Sequence, residues 1–82
     1  MKNPLIQKSI LTILNRLDHV ALRETTLASE VEIAIDRPLT TSEFADELRY
    51  LEDRALILRD HDSFDETLWA ITQTGELALK GL

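Results

Sequence analysis

The chain has 82 residues, with nine basic against fifteen acidic side chains, a net charge of −6 and no cysteine. This length suits one domain, residues 1–82, around a single small core, and leaves no room for a second. Disulfides, thiolate metal ligands and membrane-spanning helices are excluded, because a span needs about 20 consecutive apolar residues and no run approaches that length.

Two amphipathic helices are predicted in the first half of the chain. Proline suits the first turn of a helix, and apolar residues then recur at helical spacing over residues 4–17. A connector follows, in which the apolar residues 20–22 favour a short strand. Thr25 or Thr26 then serves as the N-cap of a second helix, which reaches Ile35.

The third predicted helix, Thr41–Arg54, has the sharpest start signal in the chain. Thr40 as N-cap and Glu43 three residues later form a capping box, in which each side chain accepts a hydrogen bond from the other residue's backbone N–H. The apolar side chains of this helix, Phe44 among them, fall on one side at about 100° per residue. The opposite side carries Ser42, Asp46, Arg49, Tyr50 and Asp53.

A β-hairpin and a short helix are predicted to complete the chain. Residues 56–59 and 67–72 have the composition of strands, and the polar residues 60–66 form the turn between them. Thr72 then caps a last helix that runs through Leu79. The apolar side chains of all these elements predict a core made of Ile6, Ile10, Leu14, Leu27, Val31, Phe44, Leu48, Leu51, Leu56, Trp69 and Ile71.

The residues around the hairpin resemble those of a known family. The run from Leu51 to Ile57 resembles the end of the recognition helix and the first wing strand of MarR-like and PadR-like regulators. The run from Trp69 to Gly75 resembles their second wing strand and the Leu-Thr-x-x-Gly turn that follows it. The resemblance covers nearly the whole chain. It implies a winged helix-turn-helix fold, mainly α, with three helices, a wing of two or three strands and a short C-terminal helix.

The layout is also similar to that of small uncharacterised proteins of Mu-like prophages. They share a Leu-x-x-Leu-Glu run, here residues 48–52, before a wing that ends in Thr-x-x-Gly, here residues 72–75. Two features depart from the MarR-like pattern. Ala55 stands where those regulators often have glycine, and the last helix is too short for their dimerisation arm. We therefore expect a monomer or a weak homodimer.

Catalytic, cofactor and metal chemistry find little support among the residues. The only glycines are Gly75 and Gly81, which form no phosphate-cradling loop, and no serine lies in a nucleophile elbow. His19 and His61 are the only imidazoles, and neither has a second ligand at helical spacing. We predict a non-enzymatic binding module with no cofactor and no metal. The N-terminus lacks the apolar block of a signal peptide, so a cytoplasmic protein without membrane contact is expected.

DNA is one predicted partner, because a winged helix places its third helix in the major groove. Thr41 and Ser42 would then contact phosphates, Arg49 would read guanine, and Arg59 would lie on the wing. The third helix, however, carries five acids against two arginines, and residues 59–66 carry four acids against one, so each element is net −3. Negative charge at these positions opposes binding to the phosphate backbone.

The acidic balance therefore favours, at this stage, a protein partner with a basic surface. Under this interpretation the chain is an accessory or regulatory protein of prophage type, with Tyr50 and Phe64 as aromatic anchors. A DNA-binding transcriptional regulator is the alternative. The predicted protein-binding residues are Glu43, Asp46, Glu47, Arg49, Tyr50, Asp53 and Phe64.

Overall fold

The computed structural model describes residues 3–17 and 20–81, which form four helices and a three-stranded sheet. His19, considered above as a metal ligand, lies outside the described residues. None of the described helices is long and apolar enough to cross a membrane. The elements in chain order are α1 (Pro4–Arg16), β1 (Leu22–Arg23), α2 (Glu24–Ile35), α3 (Thr41–Asp53), β2 (Ile57–His61), β3 (Thr67–Ile71) and α4 (Gln73–Lys80).

Helix α1 begins where predicted, but α2 begins differently. The Asn3 side chain caps α1 by accepting a hydrogen bond from the Leu5 N–H at 3.0 Å. The predicted Thr25 or Thr26 cap of α2 is wrong, because Arg23 occupies the N-cap position and makes no side-chain cap hydrogen bond. Strand β1 pairs as far as Arg23, so the chain passes directly from the strand into the helix. Both threonines therefore lie inside α2.

The capping box that was predicted to start α3 is confirmed. The Glu43 N–H donates to Thr40 Oγ1 at 3.1 Å, and the Thr40 N–H donates to Glu43 Oε1 at 3.4 Å. At the other end, the Leu56 N–H donates to the Leu51 carbonyl at 3.0 Å and the Ala55 N–H to the Glu52 carbonyl at 2.9 Å. This pair of hydrogen bonds is a Schellman motif, in which one residue adopts the left-handed conformation.

Ala55 is that left-handed residue, with φ 59°. A Cβ atom is disfavoured in this conformation, so we expect Ala55→Gly to stabilise the fold by about 1 kcal/mol. Chemical denaturation followed by the fluorescence of Trp69, the single tryptophan, measures the change. Ala34→Gly, at an exposed position in α2, is the control and should destabilise by about 1 kcal/mol. Destabilisation by Ala55→Gly would contradict the prediction.

The three strands form one antiparallel sheet in the order β1-β3-β2. Strand β2 extends to His61, beyond the predicted Arg59, so two residues assigned to the turn belong to the strand. The turn is held by the Asp62 carboxylate, which accepts hydrogen bonds from the backbone N–H groups of Glu66 at 3.0 Å and Phe64 at 2.8 Å. These bonds, led by that from Glu66, lower the pKa of Asp62. The predicted hairpin is thus confirmed, with a shorter turn.

The core lies between the helices and the inner side of the sheet. Every predicted core residue is buried except Leu56, which is only partly buried. Ile57 takes the inward position instead, because it pairs directly with the buried Ile71, and directly paired residues lie on the same side of a sheet. Trp69 and Ile71 share the buried side of β3 as predicted. Leu11 and Ile13 of α1 complete the core.

Candidate nucleic-acid interface

The outer face of α3 is the surface that a winged helix would present to a partner. We define it by the exposed side chains on this helix, which are Thr41, Ser42, Ala45, Asp46, Arg49 and Asp53. Asp46, Arg49 and Asp53 also line a shallow depression together with Tyr50 and Arg54. The Arg54 guanidinium lies over the Tyr50 ring, 4.3 Å from its centroid, and the tyrosine is half-buried. The outer face thus combines polar side chains of both charges.

Glu47 does not belong to the outer face, and its prediction as a partner-binding residue is wrong. Its side chain is 0% exposed, and its Oε1 accepts a hydrogen bond from Gln7 Nε2 of α1 at 2.8 Å. Oε2 has no hydrogen-bond partner among the described residues. The residue lies beside the apolar side of α3, where the packing of α1 encloses it. Helical spacing indicates this position, since Glu47 follows Phe44 by three residues and precedes Leu51 by four, on the same side of α3. Its partner Gln7, 40 positions away, is shown only by the structure.

Glu43 lies at the start of α3 and is held by an arginine from the preceding loop. Arg37 donates to its two carboxylate oxygens, from Nη1 at 3.2 Å and from Nη2 at 2.8 Å. Together with the smaller contribution of the Thr40 N–H, the Arg37 hydrogen bond lowers the pKa of Glu43. The carboxylate is therefore engaged within the molecule on two sides, by the capping box and by the ion pair.

Glu52, near the end of α3, is held by Arg59 of β2. The hairpin of β2 and β3, residues 57–71, is called the wing below. Arg59 donates from Nε to Oε2 at 3.2 Å and from Nη2 to Oε1 at 2.9 Å. The guanidinium also lies 5.0 Å from the centroid of the Trp69 ring, across the strand pair. Arg59, predicted as a DNA contact, therefore joins α3 to the wing. This bidentate geometry favours a fixed angle between the two elements.

The wing acids are also partly compensated. Arg23 Nε of β1 lies 3.2 Å from Glu66 Oε2 and 3.8 Å from Asp62 Oδ2. Phe64 is 81% exposed at the tip of the turn. The tip therefore presents an apolar ring among acidic residues.

These contacts change the charge that α3 presents to a partner. Of its five acids, Glu43 and Glu52 are ion-paired and Glu47 is buried, so the outer face retains Asp46 and Asp53. Arg49 is exposed on the same face and makes no ion pair with any residue in the described ranges. With Arg54 beside them, the exposed charges of this surface balance. The value of −3 obtained from the sequence for α3 therefore overstates the charge of its outer face. The wing remains acidic, because its Arg59 is paired with Glu52.

Solved structures with a similar fold include a winged-helix DNA-binding protein and a transcriptional regulator. The chain is similar to RosR of H. salinarum, with TM-score 0.80, 21% identity and coverage of 93% of this chain and 66% of that chain. It is similar to F93 from STIV, a winged-helix DNA-binding protein, with TM-score 0.82, 16% identity and coverage of 99% and 86%. It is also similar to a MarR-family transcriptional regulator from Silicibacter pomeroyi, with TM-score 0.75 and 18% identity. That match covers 93% of this chain and 47% of the regulator.

The similarity is one of fold, and it covers only part of the length of the longer proteins. The chain spans 66% of RosR and less than half of the MarR-family regulator. No family model matches the sequence, and no curated protein matches it. The similarity to Mu-like prophage proteins stays a prediction. The four helices and the three-stranded antiparallel sheet are those of a winged helix-turn-helix domain.

Proposed function

We propose that the chain is a non-enzymatic DNA-binding module of the regulator type, which places α3 in the major groove. The observation that carries this proposal is which arginines are ion-paired within the molecule and which is exposed. Arg23, Arg37 and Arg59 are ion-paired within the molecule, whereas Arg49 is exposed at the middle of the outer face. An exposed arginine on a recognition helix suits guanine, whose O6 and N7 accept two of the N–H donors of the guanidinium.

The other residues of the interface have separate roles. Thr41 and Ser42, exposed in the first turn of α3, donate hydrogen bonds to phosphate oxygens. Arg59 acts as a positioning residue, because its contacts with Glu52 and Trp69 set the wing against α3. The fold of the neighbouring DNA-binding protein F93 supports this arrangement.

Recognition of a basic protein surface has less support than DNA binding. Of the residues predicted to bind a protein, Glu47 is buried and Glu43 is already paired with Arg37. Tyr50 is half-buried beneath Arg54 and offers little surface as an anchor. Phe64 favours a protein contact, since it is a large exposed ring.

The test is a titration of labelled random-sequence duplex DNA with the protein at low salt. We expect micromolar or tighter binding that weakens as salt rises, because phosphate contacts release counterions. Arg49→Ala should weaken binding about tenfold or more at a guanine-containing site enriched from that random-sequence DNA. Arg16→Ala removes an exposed arginine from the end of α1 and serves as the control, with little expected effect. No salt-dependent binding, or equal losses in both variants, would contradict the proposal and leave protein recognition as the better hypothesis.

A further inference from the structure

We infer that Asp46 reads DNA sequence, by accepting a hydrogen bond from the amino group of a cytosine beside the guanine that Arg49 contacts. The inference rests on the proposed function and specifies the DNA that the same surface would recognise. It assigns a role to a residue that, counted as charge alone, only opposes DNA binding.

Asp46 and Arg49 lie together on the outer face of α3. They are three residues apart, so they project from neighbouring turns of the helix, and both line the same shallow depression. Both side chains are exposed. Within residues 3–17 and 20–81, no ion pair joins them to each other or to a third residue. Their hydrogen-bonding groups are thus available to an external partner.

Asp46 shares this state with Asp53 and differs in it from the other three acids of α3. Glu43 and Glu52 each bind an arginine, and Glu47 accepts a hydrogen bond from Gln7. A carboxylate that enters the major groove without such a partner loses solvation and meets the phosphates. It therefore needs a donor from the DNA.

The donors in the major groove are the amino groups of cytosine and adenine. A carboxylate, which only accepts, suits the N4 amino group of cytosine. Adenine presents its N6 amino group beside the N7 acceptor, and this pair suits an amide, which both donates and accepts. Cytosine is therefore the base that Asp46 favours, and replacing the carboxylate by an amide should change the preference to adenine.

The spacing along α3 relates this cytosine to the guanine. At a rise of 1.5 Å per residue, the Cα atoms of residues 46 and 49 are separated by about 4.5 Å along the helix axis. One base step is about 3.4 Å. We therefore place the cytosine and the guanine in the same base pair or in adjacent base pairs.

Asp53 provides a matched control on the same face. It is exposed and lines the same depression, but it is the last residue of α3, two turns beyond Asp46. A recognition helix contacts base edges chiefly through its N-terminal part. Asp53 should therefore repel phosphate without reading a base, and its neutralisation should raise affinity at every sequence alike.

The experiment is a selection from a random duplex library with the wild-type protein, Asp46→Asn and Asp53→Asn. Thermal melting first establishes that the three proteins are equally folded. The wild-type protein should enrich a site with neighbouring or paired cytosine and guanine. Titration of that site should show about tenfold preference for cytosine over adenine at the Asp46 position. Asp46→Asn should reverse this preference while retaining the guanine, and Asp53→Asn should select the wild-type site.

Other outcomes separate this inference from the proposed function. If the wild-type protein enriches a site and Asp46→Asn selects the same bases, the inference is wrong and DNA binding stands. If only the asparagine variants enrich DNA, Asp46 merely repels it, and the inference is again wrong. If none of the three proteins enriches or binds duplex DNA at low salt, the proposed function and this inference are both overturned.

Discussion

Replacing Leu51 by alanine should destabilise the protein by about 2–5 kcal/mol, since removing a buried leucine leaves a cavity that the surroundings fill only partly. Leu51 is 1% exposed on the inner side of α3, and its carbonyl also accepts the hydrogen bond that closes the helix. In a domain of 82 residues, a loss of this size is a large part of the total stability. Chemical denaturation followed by Trp69 fluorescence measures it.

Asp53→Ala is the matched control for Leu51→Ala, two residues further along the same helix. Asp53 is exposed, and its truncation should change the free energy of unfolding by less than about 0.5 kcal/mol. Equal effects of the two substitutions would mean that the inner and outer sides of α3 have been assigned wrongly.

Gly75→Ala should destabilise the protein by about 3 kcal/mol, near the upper end of the usual cost of an overpacked core. A Cβ atom at position 75 would overlap the carbonyl oxygen of Leu56 and lie 2.8 Å from Ile71 Cγ1. The obstacle is largely backbone, which cannot rotate away. Alanine normally favours a helix by about 1 kcal/mol over glycine, so a net loss here isolates the steric effect.

The close approach at Gly75 has a structural cause in Thr72. The Thr72 hydroxyl donates to the Ala55 carbonyl at 2.6 Å and accepts from the Gly75 N–H at 2.9 Å. The Thr72 N–H donates to the Leu56 carbonyl at 3.1 Å. These bonds hold the start of α4 against the turn between α3 and β2, and this explains the Thr-x-x-Gly pattern.

Gly81→Ala is the control for the substitution at Gly75, and thermal melting or chemical denaturation compares the two. At Gly81 the nearest atom to an added Cβ is the Ala78 carbonyl oxygen at 3.5 Å, an ordinary contact. A change of less than about 0.5 kcal/mol is expected there. Full stability of Gly75→Ala would show that α4 can move away from Leu56 without loss.

The sequence by itself determined the features that depend on residues close together along the chain. The capping box needs only Thr40 and Glu43, and the cap of α4 needs only Thr72 and Gly75, so both are visible as short patterns. The inner side of α3 follows from helical periodicity, which is why Leu51 was assigned correctly. The resemblance of the hairpin residues to those of MarR-like and PadR-like regulators predicted how the elements are arranged in the fold.

Only the tertiary structure decided which charges face a partner, because charges meet between elements that are distant in sequence or joined without a regular spacing. Periodicity alone places Glu47 on the inner side of α3, but its hydrogen-bond partner Gln7 of α1 is 40 positions away. Arg59 contacts Glu52 because the wing packs against α3. Arg37 contacts Glu43 because the loop between α2 and α3 brings it beside the first turn of α3. A net charge contains no information on such pairing. The sequence already suggested Arg49 as a guanine contact. The folded chain adds that Arg49 and Asp46 are both exposed and make no ion pair within residues 3–17 and 20–81.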